Sequence, residues 1–374
     1  MGKKIAIFIS SLRGGGAERV MVSLANQFSE EGFDVDLVVV KASGAFRSEV
    51  GEKVNIIDLN AKRVILSFFG LFSYLRRARP DALLSTMSHA NIVAILASRL
   101  TMSGLRVIVR EANTVSSNLK DGGSFIDRLI SGMIPYLYPR AHQVVAPSTG
   151  VANDLISRSR ISDKNITTIY NPVNLELVKE LAGENVSLSW FEESDVRVVL
   201  GVGRLTQQKD FNTLIQAFDI ARKKATHNIK LLILGEGEER EQLEEYIRTL
   251  GASDSILLPG FVDNPYAYMA RSSVFVLSSL WEGLPNVLIQ ALSLRVPVIS
   301  TRCPSGPDEI LENGLWGTLV DCGDVEAMAD AILEITGQPP QINLTELDEY
   351  CENRFGAATV ANEYIKLLLP DQAK

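Results

Sequence analysis

Short, continuous apolar runs recur along the chain and alternate with amphipathic stretches, and this alternation constrains the fold most strongly. Runs rich in Val, Ile and Leu that do not alternate with polar residues are typical of strands buried on both faces. Segment 17–32 places its apolar residues on one helical stripe and ends at Gly32, a helix-stop signal. Strand, helix and strand in succession predict a parallel sheet covered by helices. In the first half, the predicted strands are 5–9, 35–40, 82–85, 106–110 and 143–147.

The second half of the chain repeats this plan. Its predicted helices are 211–224 and 238–251, and its predicted strands are 196–203, 229–235, 255–260, 274–277 and 297–300. Between the halves, Asn171 precedes Pro172, a step that disfavours helix. We therefore predict an α/β protein with two Rossmann-like, doubly wound parallel-sheet domains facing a central cleft, with ligands beyond the carboxyl ends of the strands. The predicted domains are 1–172 and 173–354, followed by a C-terminal helix in 355–374 that crosses back to the first domain.

Composition excludes several classes of protein. The 374 residues are 46% hydrophobic and 22% charged, which is typical of a globular chain and not of a disordered, collagen-like or coiled-coil one. The net charge of −8 disfavours a nucleic-acid partner, because a phosphate backbone requires a basic face. The three cysteines have no CxxC spacing, which disfavours a zinc site or a disulfide framework and indicates a reducing compartment.

No targeting or membrane-spanning segment is predicted. The opening MGKKIAIFIS contains a five-residue apolar run, which is too short for a signal-peptide core and predicts a first strand. No stretch reaches the roughly 18 uncharged apolar residues of a spanning helix. We therefore expect a cytoplasmic protein.

A glycine-rich turn, SLRGGGAER (11–19), joins the first strand to the first helix. Backbone without Cβ can approach a ligand closely there, and the amides at a helix start attract anions. The pattern is not G-x-G-x-x-G, and the second strand ends in Val39, Val40 and Lys41 without the acidic residue that a dinucleotide site has there, so a dehydrogenase is disfavoured. A tight turn is the alternative, but three glycines at this junction favour a phosphate or sugar contact.

Two cations follow the first strand of the second half, in LGVGRLTQQKDF (200–211). Arg204 offers a planar fork and Lys209 a point charge, a combination that suits a diphosphate. Two solvated loop cations are the alternative if they stand alone.

The segment SSLWEGLPNVLIQALS (278–293) indicates that they do not stand alone. Glu282 lies in a loop after a predicted strand, and Pro285 suits the first position of the following helix. The amides of Asn286, Val287 and Leu288 then form an anion-binding site at the helix start, and Gln290 lies one turn further along the helix. Together these groups suit a ligand that carries phosphates and hydroxyls.

These segments resemble the retaining glycosyltransferases of family GT4, which have the GT-B fold. The resemblance rests on GRLxxxKxF followed by EGLPNVLxxA, and its supporting matches occur in family order over nearly the whole chain: GGGAER, REAN (110–113), APSTGVANDL (146–155), YNPVN (170–174), LGEGEER (234–240), LPGFVDN (258–264) and SGPDEI (305–310).

The resemblance implies roles by position. Arg204 and Lys209 would hold the donor diphosphate and stabilise the departing nucleotide in place of a metal, so no metal or other cofactor is expected. Glu282 would be the first acid of the E-x7-E motif, near the donor sugar. The remaining donor contacts would come from Gly15 and Gly16, from Phe261 and Val262 against the base, and from the backbone of Leu284, Pro285, Asn286 and Val287.

Gln290 departs from this pattern, because the family usually has a second Glu that binds the nucleotide ribose at that place. Glutamine still accepts and donates hydrogen bonds but carries no charge, so donor affinity or choice can differ.

Three further residues are candidates. His89 follows a predicted strand at a helix start, where family relatives have a histidine in the sugar pocket; a helix cap is the alternative. Arg110 and Glu111 end a predicted strand and are candidate acceptor contacts, with a salt-bridged loop as the alternative.

The segment AKRVILSFFGLFSYLRRARPD (61–81) has basic ends and an apolar middle, with no acid between Lys62 and Arg79. That pattern fits an interfacial helix on anionic lipid through residues 61–79, or a helix packed on the sheet with exposed basic ends.

The resemblance therefore implies a retaining hexosyltransferase that moves a hexose or N-acetylhexosamine from a nucleotide sugar, with UDP expected, to a lipid-linked saccharide of surface-glycan synthesis. It would be cytoplasmic, with a peripheral position on the inner face of the membrane. The alternatives are a nucleotide-sugar epimerase or phosphorylase, and a donor-binding module without turnover, which Gln290 suggests.

Overall fold

The computed structural model describes residues 2–13, 15–101, 104–114 and 125–372, with backbone only for residues 125–127 and 372. The chain divides into two compact units. One comprises Met1–Val173 with Arg354–Lys374, and the other comprises Asn174–Asn353.

The described strands of the first unit form one seven-stranded parallel sheet, in the order β3-β2-β1-β4-β5-β6-β7. The order reverses between β1 and β4, which makes that pair the switch point of a doubly wound sheet. The strands are β1 Lys4–Ser11, β2 Asp34–Lys41, β3 Asn55–Asp58, β4 Ala82–Thr86, β5 Arg106–Arg110, β6 Gln143–Ala146 and β7 Ile166–Thr168.

Helices cover both faces of this sheet. On one face, Val20, Met21 and Leu24 of the first helix share a core with Val360 and Tyr364 of the last helix. The other core is built from the remaining helices of the unit and the opposite side of the strands. The helices are α1 Gly16–Glu30, α2 Phe68–Ala78, α3 Ser88–Leu100, α4 Phe125–Leu137, α5 Thr149–Arg158 and the last helix, α14 Ala357–Leu368.

The second unit contains a six-stranded parallel sheet, in the order β10-β9-β8-β11-β12-β13. Its order reverses between β8 and β11. The strands are β8 Val196–Val202, β9 Asn228–Leu234, β10 Ile256–Gly260, β11 Val274–Leu277, β12 Val298–Thr301 and β13 Thr318–Val320.

One face of this sheet carries a core to which Leu214 and Phe218 contribute from one helix, Leu243 from the next and Ile332 from a third. The helices of the unit are α6 Leu175–Ala182, α7 Phe211–Lys224, α8 Arg240–Thr249, α9 Tyr266–Met269, α10 Asn286–Ser293, α11 Pro307–Ile310, α12 Val325–Gly337 and α13 Leu344–Phe355.

The predicted strands coincide with observed ones within a few residues, and the prediction of two parallel-sheet α/β domains is confirmed. Three short strands, β3, β7 and β13, were not predicted from the sequence. Each has three or four residues and is largely half-exposed, so its sequence lacks the continuous apolar run of a buried strand. Within the described ranges, no helix is both long and apolar enough to cross a bilayer.

Candidate active site

The loops that leave β8 and β11 meet at the switch point of the second sheet. Parallel pairing aligns Val274 with Val199 and Phe275 with Leu200, so both strands end at the same edge. Leu280 N–H donates to the Gln208 carbonyl at 2.8 Å, and the Gln208 side chain donates to the Trp281 carbonyl at 2.8 Å. These bonds join the loop that carries Lys209 to the loop that carries Glu282.

Lys209 and Glu282 form an ion pair, with 2.5 Å between Lys209 Nζ and Glu282 Oε1. Their side chains are 15% and 9% exposed, so the pair is largely withdrawn from solvent. Ser279 Oγ donates to the same Oε1 at 2.7 Å. Among the described residues, no hydrogen bond reaches the other carboxylate oxygen, Oε2. A carboxylate held in this way can still accept a hydrogen bond from a ligand hydroxyl.

The backbone around Lys209 is fixed from two sides. Ser278 Oγ donates to the Lys209 carbonyl at 2.7 Å, and the Lys209 amide donates to Thr206 at 2.9 Å. The lysine stem runs over Gly203, where an added Cβ would lie 3.1 Å from Lys209 Cε. A small residue at 203 therefore lets the ammonium reach across the end of β8.

Arg204 leaves the same strand but does not join the ion pair. Its side chain is exposed, and the described part of the chain gives it no salt-bridge partner. Its loop is anchored by Gly203 N–H to Leu234 at 3.0 Å and by Leu205 N–H to Glu236 at 2.9 Å. Of Arg204, Lys209 and Glu282, the structure brings the last two into contact and leaves the Arg204 side chain exposed to solvent.

Helix α10 begins one residue later than predicted. Pro285 is the N-cap, with ψ 96°, and Asn286 is the first helical residue. The Leu288 amide donates to the Pro285 carbonyl at 3.0 Å. Because this amide is already bonded, it does not belong to the predicted anion-binding site. The prediction was wrong on both points because the first turn closes on the proline carbonyl. Leu284 is buried next to this cap, and Val287 follows Asn286 in the first turn.

Gly306 holds the start of α10 in place. Its φ of +100° favours glycine, and an added Cβ would lie 2.6 Å from Pro285 Cδ and 3.2 Å from Leu284 Cα. The SGPDEI segment therefore supports the loop between Glu282 and the helix.

Gln290 is buried in α10, and its Nε2 lies 3.4 Å from the Tyr266 hydroxyl of α9. Phe261 follows β10 and is 72% exposed, whereas Val262 beside it is half-buried. Gly260 before them has φ +101°. An exposed aromatic ring at a strand tip offers a flat surface for stacking.

In the first unit, Gly15 is the N-cap of α1 and Gly16 is its first residue. A Cβ on Gly15 would lie 2.5 Å from Glu18 Oε2, so the Glu18 carboxylate folds back over the start of its own helix. Gly14, the first of the three glycines, lies outside the described residues.

His89 is exposed and is the second residue of α3, directly beyond β4. Met87, the N-cap, has φ +71°, an uncommon conformation for a residue with a side chain. His89 therefore stands at the switch point of the first sheet.

Arg110 and Glu111 are buried rather than exposed for ligand contact. Glu111 accepts hydrogen bonds from Ser88 Oγ at 2.9 Å and from Tyr138 OH at 2.5 Å. Asn91 Nδ2 donates to the Tyr138 hydroxyl and to the Arg110 carbonyl, at 2.9 Å in each case. Burial raises the pKa of Glu111 above its ordinary value. The hydrogen bonds from Tyr138 and Ser88 and the positive charge of Arg110 act in the opposite direction but do not outweigh burial.

The Arg110 side chain donates to Thr86 Oγ1 at 3.1 Å and to Asn171 Oδ1 at 2.5 Å. Within the described ranges, neither Arg110 nor Glu111 takes part in an ion pair within 4.0 Å, so the salt-bridged loop is not observed either. Both side chains instead join the ends of β4, β5 and neighbouring segments.

Several site residues were missed from the sequence. Ser278 and Ser279 fix Lys209 and Glu282, and Thr301 Oγ1 donates to the Ser279 carbonyl at 2.5 Å. Their only sequence signal is position at the carboxyl ends of β11 and β12. Which side chains would face each other depends on strand order, which the sequence does not state.

Comparison with known proteins identifies the family of the chain. A family model described as glycosyl transferases group 1 matches residues 187–354, and one described as Glycosyltransferase Family 4 matches residues 14–177. The chain is 31% identical over 336 residues, 87% of its length and 88% of the relative's, to the Campylobacter jejuni N-acetylgalactosamine-N,N'-diacetylbacillosaminyl-diphospho-undecaprenol 4-alpha-N-acetylgalactosaminyltransferase. It is 29% identical to the amylovoran biosynthesis glycosyltransferase AmsD of Erwinia amylovora, over 85% of this chain and 86% of that protein.

Solved structures have the same fold. The crystal structure of Anabaena HepE in complex with UDP-glucose matches with a TM-score of 0.78 at 19% identity, over 98% of this chain and 99% of that one. The apo form of the lipopolysaccharide outer core galactosyltransferase WaaB matches with a TM-score of 0.74 at 19% identity, over the same shares. The predicted family is therefore confirmed: the chain is a glycosyltransferase of the GT4 type with the GT-B fold.

Proposed function

We propose that the protein transfers a hexose or N-acetylhexosamine from a UDP-sugar to a lipid-linked saccharide during surface-glycan synthesis, with retention of the anomeric configuration. The observation that carries the proposal is the Lys209–Glu282 pair at the switch point of the second sheet. Ligands of doubly wound sheets bind beyond the strand ends at that place. A relative named for a diphospho-undecaprenol substrate and one named for amylovoran synthesis support the acceptor class.

The contacts of the charged residues support a separate role for each of them. The Lys209 ammonium would stabilise the negative charge that develops on the departing diphosphate, with Arg204 as a second cation from the same loop. Glu282 would accept a hydrogen bond from a sugar hydroxyl through Oε2. The acceptor hydroxyl would attack the face from which the diphosphate departs, and its proton would pass to the leaving phosphate oxygen. No protein nucleophile is required, and we expect transfer to be independent of a metal ion.

The test is a transfer assay with purified protein, a panel of nucleotide sugars and short-chain lipid-diphosphate saccharides, run with and without a chelator. The expected product is one sugar longer and has the anomeric configuration of the donor, as read by NMR. Inverted product would contradict retention, and loss of transfer on chelation would contradict metal independence. Formation of an epimeric UDP-sugar in the absence of acceptor would instead identify an epimerase.

Gln290 motivates a second candidate, a donor-binding module without turnover. Its amide faces the Tyr266 hydroxyl and carries no charge. Calorimetry with UDP, in parallel with the transfer assay, separates the candidates: binding with no transfer to any acceptor favours the module. Q290E should change the affinity for UDP, while Q242E, on the exposed side of α8, should leave it unchanged.

We also propose that the protein works at the membrane surface through residues 61–79. The inner side of this segment is fixed to the sheet, because Leu71, Tyr74 and Leu75 are buried in the core. Its outer side is apolar at the amino end, where Ile65, Leu66 and Phe69 are exposed, with Phe69 at 78%. Two basic residues precede these apolar side chains, and three more follow them. The exposed cations of the segment are Lys62, Arg63, Arg76, Arg77 and Arg79.

An exposed apolar cluster flanked by cations, with no acid within the segment, is complementary to an anionic bilayer. Each cation near such a surface contributes about 1 kcal/mol to the free energy of membrane binding. Each apolar side chain that leaves water contributes about 1.5–3 kcal/mol more. Such a location would bring the enzyme to an acceptor whose lipid is held in the bilayer.

A further inference from the structure

Four polar side chains close a ring of hydrogen bonds at the start of α3. Ser88 Oγ donates to Glu111 Oε1 at 2.9 Å, and the Tyr138 hydroxyl donates to Glu111 Oε2 at 2.5 Å. Asn91 Nδ2 in turn donates to the Tyr138 hydroxyl at 2.9 Å. Ser88 and Asn91 are neighbours one turn apart on α3, so the helix itself completes the ring. We call these four residues the Glu111 ring.

The Glu111 ring is withdrawn from water. Asn91 and Tyr138 are 0% exposed, and Glu111 is 2% exposed. Asn91 is fixed further, because its Nδ2 also donates to the Arg110 carbonyl at 2.9 Å and its Oδ1 accepts from Ser85 Oγ at 2.7 Å. Buried polar groups that are bonded in this way hold one arrangement, since no water replaces a partner that is lost.

His89 belongs to the helical turn that the Glu111 ring fixes. It directly follows Ser88 and precedes Asn91 by two residues. The turn begins at Met87, whose φ of +71° is sparsely populated for a residue with a side chain. The Met87 amide donates to the Arg110 carbonyl at 3.3 Å, the same group that accepts from Asn91. A strained backbone persists where the surrounding contacts over-determine it, and the ring supplies such contacts on both sides of His89.

A second buried tyrosine–carboxylate contact in the same unit differs from the ring in place and in charge. The Tyr74 hydroxyl donates to Asp36 Oδ2 at 2.7 Å, and both residues are 3% exposed. Asp36 is the third residue of β2 and forms an ion pair with Lys4 at 3.1 Å, so it joins elements near the amino ends of the strands. Glu111 instead directly follows β5, at the edge where ligands of doubly wound sheets bind.

We propose that Glu111 and Tyr138 are positioning residues that hold His89 in place for glycosyl transfer. They would act through Ser88 and Asn91 and would not contact the substrate themselves. The effect on turnover rests on the function proposed above and on the sugar-pocket role that the resemblance implies for His89. The effect on the position of His89 rests on neither.

The experiment compares Y138F with Y74F, its matched control. Each change removes one buried hydroxyl that donates to a buried carboxylate, so both should lower the Tm. Only Y138F should also lower kcat, by about tenfold or more, because misplacement of a group at the reacting centre costs that much. The KM for the UDP-sugar should change less than kcat. S88A should act like Y138F, and S88T, which keeps the hydroxyl, should restore most of the rate.

A double-mutant cycle shows whether the effect passes through His89. In an H89A background, Y138F should lower kcat by less than about twofold, because the side chain that it displaces is gone. NMR of the imidazole Cε1–H signals gives a second measurement that needs no turnover. The chain has three histidines, and H89A identifies the signal of His89 among them. Y138F and S88A should shift that signal, and Y74F should leave it in place.

Three outcomes would overturn the proposal: equal losses of kcat in Y138F and Y74F, an undiminished effect of Y138F in the H89A background, or a His89 signal that Y138F does not move. If the unchanged protein glycosylates no acceptor, the proposed transferase function fails. The His89 signal then decides by itself whether the Glu111 ring positions this residue.

Discussion

Lys209 Nζ lies 2.5 Å from Glu282 Oε1, although 73 residues separate the two side chains in sequence. They meet because β8 and β11 are neighbours in the sheet while β9 and β10 lie on the far side of β8. The strand order thus places a cation from one loop and an acid from another at the same edge. The ion pair fixes the position of the ammonium at that edge.

Replacement of this ammonium should reduce transfer without unfolding the protein. For K209M we expect a loss of roughly 2.7–4 kcal/mol of transition-state stabilisation, about a hundredfold to a thousandfold in kcat, as for one lost oxyanion donor. E282Q should lower kcat less, because the amide oxygen can still accept hydrogen bonds. Steady-state kinetics with the best UDP-sugar provides the measurement. K224M is the matched control, since Lys224 is an exposed lysine near Glu326 and Asp330. Equal rates for K209M and K224M would reject the assigned role.

Much of the scaffold could be predicted from the sequence, because strands buried on both faces need continuous apolar runs. Segment 274–277 and helix 211–224 were predicted with their observed bounds. The strand β3 was missed, since its NIID sequence is half-exposed and has no such run. The family motifs indicated Lys209 and Glu282, but no sequence pattern showed that Ser279 would hold the carboxylate or that Arg110 would be buried. Those contacts depend on how distant strand ends are arranged.

Phe69 provides a sharp test of the membrane surface, because its side chain is the most exposed of the large apolar ones in segment 61–79. F69S should weaken binding to anionic vesicles by about tenfold or more, since transfer of one such side chain from water is worth about 1.5–3 kcal/mol. R76Q together with R77Q should reduce the salt-sensitive part of binding. Vesicle flotation measures both effects.

The control for that experiment is L315S, which removes a leucine that is 64% exposed in the second unit. It should float like the unchanged protein. If the unchanged protein does not float with anionic vesicles, or if F69S and L315S float equally, residues 61–79 do not form the membrane contact.

Gly306 and Gly314 form a matched pair for the support of α10. Both have φ near the same positive value, +100° and +107°, but only Gly306 would place a Cβ within 4 Å of other atoms. Each change to alanine should cost about 1–2 kcal/mol for the left-handed backbone. G306A should cost about 1–3 kcal/mol more, because its methyl group meets Pro285. Thermal unfolding gives the stabilities, and G306A alone should also weaken UDP binding. Equal losses for the two variants would mean that Gly306 does not set the helix start.

Glu111 should make the first unit less stable as the pH rises. Burial raises the pKa of this carboxyl group above its ordinary value of 4.5, so the folded chain binds the proton more tightly than the unfolded chain. The stabilisation is therefore complete below pH 4.5 and is lost as the pH rises through the folded-state pKa.

In E111Q this group does not titrate, and the Ser88 and Tyr138 hydroxyls can still bond the amide. The urea midpoint should fall less with pH for E111Q than for the unchanged protein, with each unit of pKa change worth about 1.4 kcal/mol. E52Q, which removes an exposed carboxylate, should keep the original pH dependence. A parallel profile for E111Q and the unchanged protein would show that Glu111 has the same pKa in the folded and unfolded chains.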